Sequence, residues 1–515
     1  MLQIIVAVIC LVASVPALLR WLRVAQREHY IPDSTSRFAY RWWVSSPINA
    51  LLALFGCAGI VVSSRFPLAA LASAVVTIVA PIGLSIKGSS SPLAWTRRLK
   101  TLAAVSVLIE AIIIVAGILL GRGSTAGAVI DLGSCAIVDL SSYILAPLEE
   151  RLSKVYIRNA QNRLVKVSPK VIAITGSYGK TSTKLYTAHL LSGYFRTQAS
   201  PASFNNRAGL SRAINEQLLD STEIFVAEMG TYGPGEIMEM CSWMNPEISA
   251  IIAIGPVHLE RMKSEELILQ AKSEITDTAS IVVIPIDDPR LAGLATHLER
   301  SGKRVIRCSA EQSEPSGSKV DIRVTRDSAS GMINVYLLGQ PVVSEIHLDA
   351  HPLNVACAIG LAFAAGCPNE VIAKQLPTLP ISPHRLTRIK EDEHPIILDD
   401  TYNSNPAGCR AALKLLREEG CEGSKVLVTP GMVELGSRSR QENEAFARES
   451  TSVADVVIIV GRTNRRYLSN GISQANIHPR VLYFGKRDQA VNWVRNNLSA
   501  KDVVLYENDL PDHYP

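Results

Sequence analysis

The strongest constraint on the fold of this chain is a strand, a glycine-containing loop and a helix that follow one another without a break. A β-rich apolar run at Val171–Thr175 leads into Gly176-Ser-Tyr-Gly-Lys-Thr181, and a helix-compatible segment follows at Ser182–Leu191. Glycines allow backbone N–H groups and the helix N-terminus to point at phosphate oxygens. Lys180 adds a positive charge, and the Thr181 hydroxyl can ligate Mg²⁺. The segment therefore predicts a phosphate-binding loop, hereafter the P-loop.

The spacing inside this loop differs from that of the commonest P-loop. Two residues separate the glycines where four are usual, and Ile174 stands where the first glycine would be. By itself, the string also fits an ordinary turn between a strand and a helix. Other segments of the chain must therefore decide whether this string is a phosphate-binding loop or an ordinary turn.

Composition limits the classes of function. The 515 residues are enough for two or three domains. A net charge of +5 and the lack of a basic stripe interleaved with aromatic residues give no reason to expect nucleic acid as a partner. The nine cysteines contain no C-x-x-C pair, so neither a zinc site nor a disulfide framework is indicated, and a reducing compartment fits best.

The long apolar stretches of the chain are concentrated in its first 150 residues. Five apolar stretches, each close to the roughly 20 residues that span a bilayer, predict a bundle of about five transmembrane helices in residues 1–148. The stretches are Leu2–Leu19, Pro47–Ser63, Pro67–Ile86, Leu102–Leu120 and Ala126–Leu145. Asp131 and Asp139 interrupt the fifth and are expected to face other helices. A cleaved signal peptide is the less favoured interpretation of the first stretch, because its basic residues follow it instead of preceding it.

Basic residues give the orientation of this bundle. They are concentrated after the first and third stretches, whereas the two alternate loops hold only Arg65 and Arg122. By the positive-inside rule, the basic loops and everything after Leu145 are cytoplasmic. A basic segment at 149–170 fits a juxtamembrane linker helix on anionic headgroups, or equally a solvated linker.

From Val171 onward, β-like and helical runs alternate, which predicts α/β domains with parallel sheets covered by helices. A Pro-rich break at 377–383 divides a central domain, 171–382, from a C-terminal Rossmann-like domain, 383–515. The central strands are predicted at Val171–Thr175, Ile224–Glu228, Ile248–Ile254 and Ile281–Pro285, followed by a hairpin over 320–338. The C-terminal strands are predicted near Ile396–Leu398, Lys425–Thr429, Val456–Val460 and Val481–Phe484.

Polar residues follow several of these strands. Glu228 ends the strand expected beside the P-loop strand, where an acid can reach a Mg²⁺ ion, and His258 and Lys272 come after the next strand. Further polar positions are Asn205, Asn206, His384, Arg385, Asp400 and Asn403. Each one alone also fits a helix cap, a surface side chain or a turn. Their joint order favours a nucleotide site.

These segments resemble the Mur ligase family, the ATP-dependent amino-acid and peptide ligases of peptidoglycan synthesis. The motifs TGSYGKTS, FNNRAGL, AEMGTYGPGEI, HRL and DDTYNSNPAGCRAAL carry the resemblance, which runs from about Val171 to about Leu505. It implies a P-loop ATPase domain followed by the Rossmann-like domain, with ATP and Mg²⁺ as cofactors.

The resemblance also implies site residues. Those implied to bind nucleotide are Gly176, Ser177, Gly179, Lys180, Thr181, Ser182, Asn354, Arg385, Asp400 and Asn403. Those implied to hold Mg²⁺ are Thr181, Glu228, His258 and Lys272, the last commonly carbamylated in the family. The implied catalytic residues are Lys180, His258, Lys272 and Arg385, and the implied substrate-binding residues are Asn205 and Asn206.

The implied reaction has two steps. A substrate carboxylate attacks the γ-phosphate of ATP to give an acyl phosphate and ADP, and an amine then displaces phosphate. Both steps concentrate negative charge, so catalysis is expected to be mainly electrostatic.

The chain departs from the family in three places, and each bears on the substrate. The membrane segment replaces the N-terminal domain that binds the UDP-sugar peptide. The Pro430–Gly436 stretch lacks the aspartate of a family Gly-Asp-Met motif, and residues 506–515 replace a Lys-Gly-Ser ending. We therefore expect a multi-pass protein of the bacterial inner (plasma) membrane with cytoplasmic ligase domains, acting on a membrane-associated carboxylate such as a lipid-linked cell-wall precursor.

Three alternatives remain at this point. The helices could merely anchor a ligase of soluble substrates, or the protein could be an ATP-binding regulator or assembly factor that has lost ligation. The third alternative is a partner-dependent amidase component, although this sequence shows no cysteine-rich zinc insertion of the kind usual in the central domain of that relative. The expected partners are an amine substrate, the precursor, membrane lipids and other envelope enzymes.

Overall fold

A computed structural model describes residues 1–44, 46–87, 92–201, 204–257, 259–312, 319–327, 330–348, 350–380, 387–401 and 405–510. The chain divides into two compact units, of which the first contains Met1–Leu152 and the second Ser153–Val460 with Asn464–Asp509. The second unit holds both α/β domains.

The first unit is helical. Its helices are α1 (Leu2–Arg27), α2 (Ser34–Val44), α3 (Pro47–Ser63), α4 (Ala70–Val79), α5 (Arg97–Leu119) and the start of α6 (Gly123–Val167). Among the described residues, three helices, α1, α5 and α6, are long and apolar enough to cross a membrane, and four spans result if α2 and α3 count as one bent span. Helices therefore lie at all five predicted stretches, but not all of them have the length of a span.

The prediction of a helix over Pro67–Ile86 is wrong beyond Val79, where α4 ends. Pro81 lacks the N–H that would continue the helix, and it disfavours helical backbone at the residue before it. Arg20, predicted to lie in a loop, is instead a buried residue of α1. Its guanidinium donates to the carbonyl oxygens of Ala80 (2.6 Å) and Leu84 (3.1 Å), so a buried cation satisfies the backbone that leaves the helix.

Helix α6 continues without a break through the predicted fifth stretch and the predicted linker. Its last turns belong to the central domain, because Ala160 and Leu164 are part of that domain's hydrophobic core. Arg163 donates to the Leu218 carbonyl (2.8 Å) and forms an ion pair with Asp220 (2.5 Å). This part of the predicted linker is therefore a helix that packs one face against the central domain.

The central domain is an α/β domain. Its strands are β1 (Lys170–Thr175), β2 (Thr197–Ala199), β3 (Ile224–Glu228), β4 (Ile248–Ile251), β5 (Ile281–Pro285), β6 (Arg304–Ser309), β7 (Ile322–Arg326), β8 (Ile333–Leu337) and β9 (Gln340–Ile346). Its helices after α6 are α7 (Lys180–Ser192), α8 (Arg207–Gln217), α9 (Glu236–Met244), α10 (Leu259–Met262), α11 (Glu265–Ser273), α12 (Pro289–Arg300), α13 (Pro352–Ala364) and α14 (Asn369–Gln375).

The central sheet has the order β2-β3-β1-β4-β5-β6-β7-β8-β9 among the described strands. Strands β2 to β7 are parallel, and β7, β8 and β9 are antiparallel, so the predicted hairpin is confirmed but the sheet is mixed. Strand β1 is buried on both faces, with Ile172, Ala173 and Ile174 inaccessible to solvent. Consecutive crossovers place β3 and β4 on opposite sides of β1, which opens a crevice at the carboxyl ends of these three strands.

The C-terminal domain is a smaller α/β sandwich. Its strands are β10 (Thr387–Ile389), β11 (Ile396–Asp400), β12 (Lys425–Thr429), β13 (Val456–Val460), β14 (Arg480–Phe484) and β15 (Val503–Glu507). Its helices are α15 (Pro406–Glu418), α16 (Ser439–Ser450), α17 (Arg465–Ser473) and α18 (Arg487–Asn497). The sheet order is β10-β11-β15-β12-β13-β14, with only the β10–β11 pair antiparallel among the described strands.

The helix that leads into the central domain can be tested with neighbouring residues. Leu164 is 7% exposed in the domain core and Val165 is 75% exposed. We expect Leu164→Ala to lower the free energy of unfolding by about 2–4 kcal/mol, because it leaves a cavity. Val165→Ala should change it by less than about 0.5 kcal/mol. Thermal melting of both variants checks this, and equal destabilisation would show that the helix is not part of the core.

Candidate active site

The P-loop lies in the crevice at the end of β1 and is held by the backbone that follows β4. Ser177 donates its N–H to the Ala253 carbonyl (2.7 Å), and its Oγ donates to the Gly255 carbonyl (3.1 Å). These bonds explain why β4 ends at Ile251 and not at Ile254 as predicted, since the backbone beyond it binds the loop. Gly179 has a φ of +75°, and a Cβ there would lie 2.3 Å from Asn354 Oδ1. Only glycine fits this position.

Lys180 and Thr181 begin helix α7 directly after the loop. The Lys180 ammonium donates to the Gly176 carbonyl (2.7 Å), so its side chain folds back over the loop. The Thr181 hydroxyl donates to Glu228 Oε2 (3.0 Å). The loop, its cation and an acidic residue of the neighbouring strand are therefore together at one helix N-terminus, which is an arrangement that binds phosphate and Mg²⁺.

Glu228 is the centre of a buried polar cluster. It ends β3 opposite Ile174 of β1. Its Oε2 accepts the Thr181 hydrogen bond and forms an ion pair with Lys184 Nζ (3.2 Å), and its Oε1 accepts from Asn205 Nδ2 (3.1 Å). A carboxylate and a hydroxyl are hard oxygen ligands of the kind that Mg²⁺ prefers, so the residues present fit this ion.

Lys184 is a site residue that the sequence reasoning missed. It lies four residues after Lys180 and is therefore on the same face of α7. That spacing was the available signal. Its side chain is as buried as that of Glu228, so the two form an ion pair shielded from water.

Lys272 lies on α11 and is 1% exposed. Burial lowers the pKa of its ammonium well below the ordinary value, and the positive charge of Lys180 lowers it further. This lysine therefore favours the neutral, nucleophilic amine. Its predicted neighbour His258 lies outside the described residues. Within those residues, no group of three or more His, Cys, Asp or Glu side chains is placed to hold a metal ion.

Comparison with known proteins decides the family. Residues 174–361 match the Mur ligase middle domain, and residues 384–506 match the Mur ligase glutamate ligase domain. The chain is 30% identical over 348 residues to the UDP-N-acetylmuramoyl-tripeptide--D-alanyl-D-alanine ligase of Buchnera aphidicola subsp. Baizongia pistaciae, which covers 65% of this chain and 71% of that protein. The chain belongs to the Mur ligase family.

Further relatives agree with this assignment. The enzyme of the same name from Bacillus subtilis is 27% identical over 372 residues, covering 70% of this chain and 75% of that protein. The structure of the MurF ligase from Thermotoga maritima in complex with ADP has a TM-score of 0.59 at 23% identity, covering 69% of this chain and 80% of that one. The predicted family and fold of both α/β domains are confirmed. As a Mur ligase, the protein is an ATP-dependent enzyme that forms an amide bond.

The other predicted site residues of this Mur ligase divide into four groups. Asn354 lies at the start of α13 against the P-loop, and Ser182 is buried in the first turn of α7. Asn206 is used structurally, because its Oδ1 accepts the N–H of Gly209 (2.9 Å) and caps α8. Asp400 ends β11 in the C-terminal domain, opposite Glu507 of β15. Arg385 and Asn403 lie outside the described residues.

The segment that lacks the family aspartate contacts the central domain. The Leu259 N–H donates to the Glu434 carbonyl (3.0 Å). Asn443 holds the backbone of Met432 with two hydrogen bonds. The Met432 N–H donates to Asn443 Oδ1 (2.8 Å), and Asn443 Nδ2 donates to the Met432 carbonyl oxygen (3.0 Å). Arg438 forms an ion pair with Glu265 of α11, the helix that carries Lys272. The two domains therefore meet beside the P-loop.

Tyr178 of the P-loop is a second residue that sequence reasoning missed. Burial raises the pKa of its hydroxyl, and the carboxylates of Glu265 and Glu442 raise it further. Glu442 belongs to the C-terminal domain, so this loop residue faces both domains. Within the described part of the chain, its hydroxyl makes no hydrogen bond.

The Lys184–Glu228 pair gives a testable consequence. Lys184→Met leaves a buried carboxylate without its cation, and we expect the free energy of unfolding to fall by about 3–5 kcal/mol without Mg²⁺. Mg²⁺ with ADP should restore part of this loss, because it supplies positive charge at Glu228. Melting temperatures with and without Mg²⁺–ADP measure both effects.

Lys414→Met is the matched control, because Lys414 forms an exposed pair with Glu418. Such pairs contribute at most about 1 kcal/mol. Equal losses in the two variants, with no effect of Mg²⁺–ADP, would contradict the role given to Lys184.

Proposed function

We propose that this Mur ligase joins the amino group of an amino acid or short peptide to a carboxylate of a cell-wall precursor, with release of ADP and phosphate. The observation that carries the proposal is the buried Glu228 carboxylate bound to Thr181 at the P-loop. The names of the relatives in Buchnera and Bacillus subtilis point to the same chemistry, since both are D-alanyl-D-alanine ligases of a UDP-N-acetylmuramoyl tripeptide. The motifs quoted above likewise resemble the D-alanyl-D-alanine-adding members most.

The P-loop residues bind and orient ATP in this proposal. The amides of the loop and the N-terminus of α7 face the phosphates, and Lys180 moves from the Gly176 carbonyl to a phosphate oxygen. Thr181 and Glu228 would hold Mg²⁺, which supplies positive charge to the phosphates when bound. Lys184 keeps the Glu228 carboxylate in place, so its position does not depend on the ligand.

The reaction then proceeds by two displacements. An oxygen of the substrate carboxylate bonds to the γ-phosphorus, and the bond to ADP breaks. The amine next bonds to the carbonyl carbon of the acyl phosphate, phosphate leaves, and the nitrogen loses a proton. Positioning and charge stabilisation account for the rate enhancement, so no nucleophilic side chain is required.

We further propose that Lys272 acts as a carbamate. Its neutral amine would bond to the carbon of CO₂ and lose one proton, which converts an uncharged buried side chain into an anion beside Lys180. The lowered pKa supports this step, because only the neutral amine is nucleophilic. A carbamate oxygen would be a suitable ligand for a second Mg²⁺.

The first unit supports a membrane location. It contains the helices that are long and apolar enough to span a bilayer, and it lies outside both matched domains. With the distribution of basic residues, it favours a multi-pass protein of the bacterial inner (plasma) membrane whose ligase domains are cytoplasmic. We propose that the carboxylate substrate is lipid-linked and reaches the site from the inner leaflet.

Phosphate release by the detergent-solubilised protein tests the substrate. ATP and Mg²⁺ are combined with UDP-linked or lipid-linked precursor pools, each with a panel of amino acids and dipeptides. We expect stimulation by the lipid-linked pool together with one amine. Stimulation only by the UDP-linked pool would make the helices an anchor, and phosphate release unaffected by either pool would favour a regulator that has lost ligation.

The carbamate is tested by substitution. Lys272→Ala should abolish ADP release, and a short-chain carboxylic acid such as formate should restore part of it by occupying the vacated space. Lys374→Ala, which removes an exposed lysine of α14, should leave ADP release unchanged. Undiminished ADP release by Lys272→Ala would exclude the carbamate.

A further inference from the structure

Two acidic side chains are buried inside the helical first unit. Glu110 of α5 is 2% exposed and Asp131 of α6 is 1% exposed. Each lies within electrostatic range of the other. Ser14 of α1 donates its hydroxyl to Glu110 Oε2 (3.1 Å). The thiol of Cys10, also of α1, faces two acceptors, the Asp131 carboxyl group and the Ala70 carbonyl oxygen (3.9 Å).

Three carboxyl oxygens of this pair lack a strong hydrogen-bond donor. Within the described residues, Glu110 Oε1 and both oxygens of Asp131 are buried and meet no N–H or O–H donor, and the donor that Asp131 does face is the thiol of Cys10, which donates only weakly. Asp139, about two turns further along α6, is different. It accepts the N–H groups of Thr35 (3.2 Å) and Ser36 (2.7 Å) and so caps α2. One buried acid of this helix is therefore satisfied by the fold, and the other is not.

The described helices around Glu110 and Asp131 do not supply a positive charge that would neutralise the two carboxyl groups. Helices α3 and α4 contain no charged residue. Arg20 of α1 lies six residues beyond Ser14, about 9 Å along the helix, and its guanidinium is bound to backbone carbonyls at Ala80 and Leu84. A buried carboxylate without a donor or a cation costs several kcal/mol, and a second carboxylate nearby adds repulsion.

We propose that Glu110 and Asp131 form a proton-binding site inside the helical unit, in which at least one carboxyl group carries a proton at neutral pH. The proton removes one negative charge and converts an acceptor without a partner into a donor. The titratable side chain that faces the pair from α1 is the Cys10 thiol. The site is separate from the nucleotide site and does not rest on the ligase reaction.

Dicyclohexylcarbodiimide tests the proposal, because it reacts with protonated carboxyl groups in apolar surroundings. The carboxyl proton and oxygen add to the carbodiimide, and an acyl shift to nitrogen gives a stable N-acylurea that mass spectrometry can locate. For the full chain in detergent at pH 7, we expect the adduct on Asp131 or Glu110 and none on Asp139. The yield should fall at least severalfold as the pH is raised from 6 to 9.

Asp131→Asn and Asp139→Asn are the matched variants. Asp131→Asn should leave the melting temperature unchanged or raise it, whereas Asp139→Asn should lower it because the N–H groups of Thr35 and Ser36 lose an anionic acceptor at a helix N-terminus. No adduct on Glu110 or Asp131 in the wild-type chain would overturn the proposal. Protection by NaCl, but not by choline chloride, at constant pH would replace the proton with sodium and overturn it as well.

Discussion

The candidate nucleotide site depends on the compensation of one buried charge, the carboxylate of Glu228. Strand β3 carries it to the edge of the sheet beside β1, where it is nearly inaccessible to water. A carboxylate in this position is tolerated only with donors or a cation, and Thr181, Asn205 and Lys184 supply them. Helix α7 supplies two of these groups, and its N-terminus adjoins the P-loop. The geometry of the P-loop and that of the acid are therefore fixed by the same helix.

Much of the arrangement of the candidate nucleotide site could be predicted from the sequence, because its signals are local. The strand, loop and helix of 171–191 are contiguous, and Glu228 ends an apolar strand. Lys184 was missed because a lysine on a helix is usually exposed, and its burial results from a strand that is distant in sequence. Tyr178 was missed for a similar reason, since the groups around it come from the C-terminal domain.

The fold could be predicted where strands are long and apolar. Strands β2 and β10 are only three residues long, and β6 has two arginines among its six residues, so none has a clear apolar pattern. Strand β15 is the exception, because it is apolar and buried but was not predicted. In the helical unit, the sequence located the helices of the five apolar stretches but not their ends, and the prediction that residues 34–44 form a loop is wrong, because α2 lies there. The stop at Val79 depends on Pro81 and on a buried arginine from another helix, and hydropathy does not report such a contact.

The fate of the carboxylate oxygen atoms of the substrate shows whether the chain is a ligase that acts through an acyl phosphate. We would supply tripeptide precursors, UDP-linked and lipid-linked, with ¹⁸O in their carboxylates, together with ATP, Mg²⁺ and D-alanyl-D-alanine, and measure the mass of the phosphate released. We expect one ¹⁸O atom in each phosphate from the pool that is used, because the carboxylate oxygen bonded to phosphorus leaves with it. Release of unlabelled phosphate at the same rate would identify water as the nucleophile and rule out an acyl phosphate.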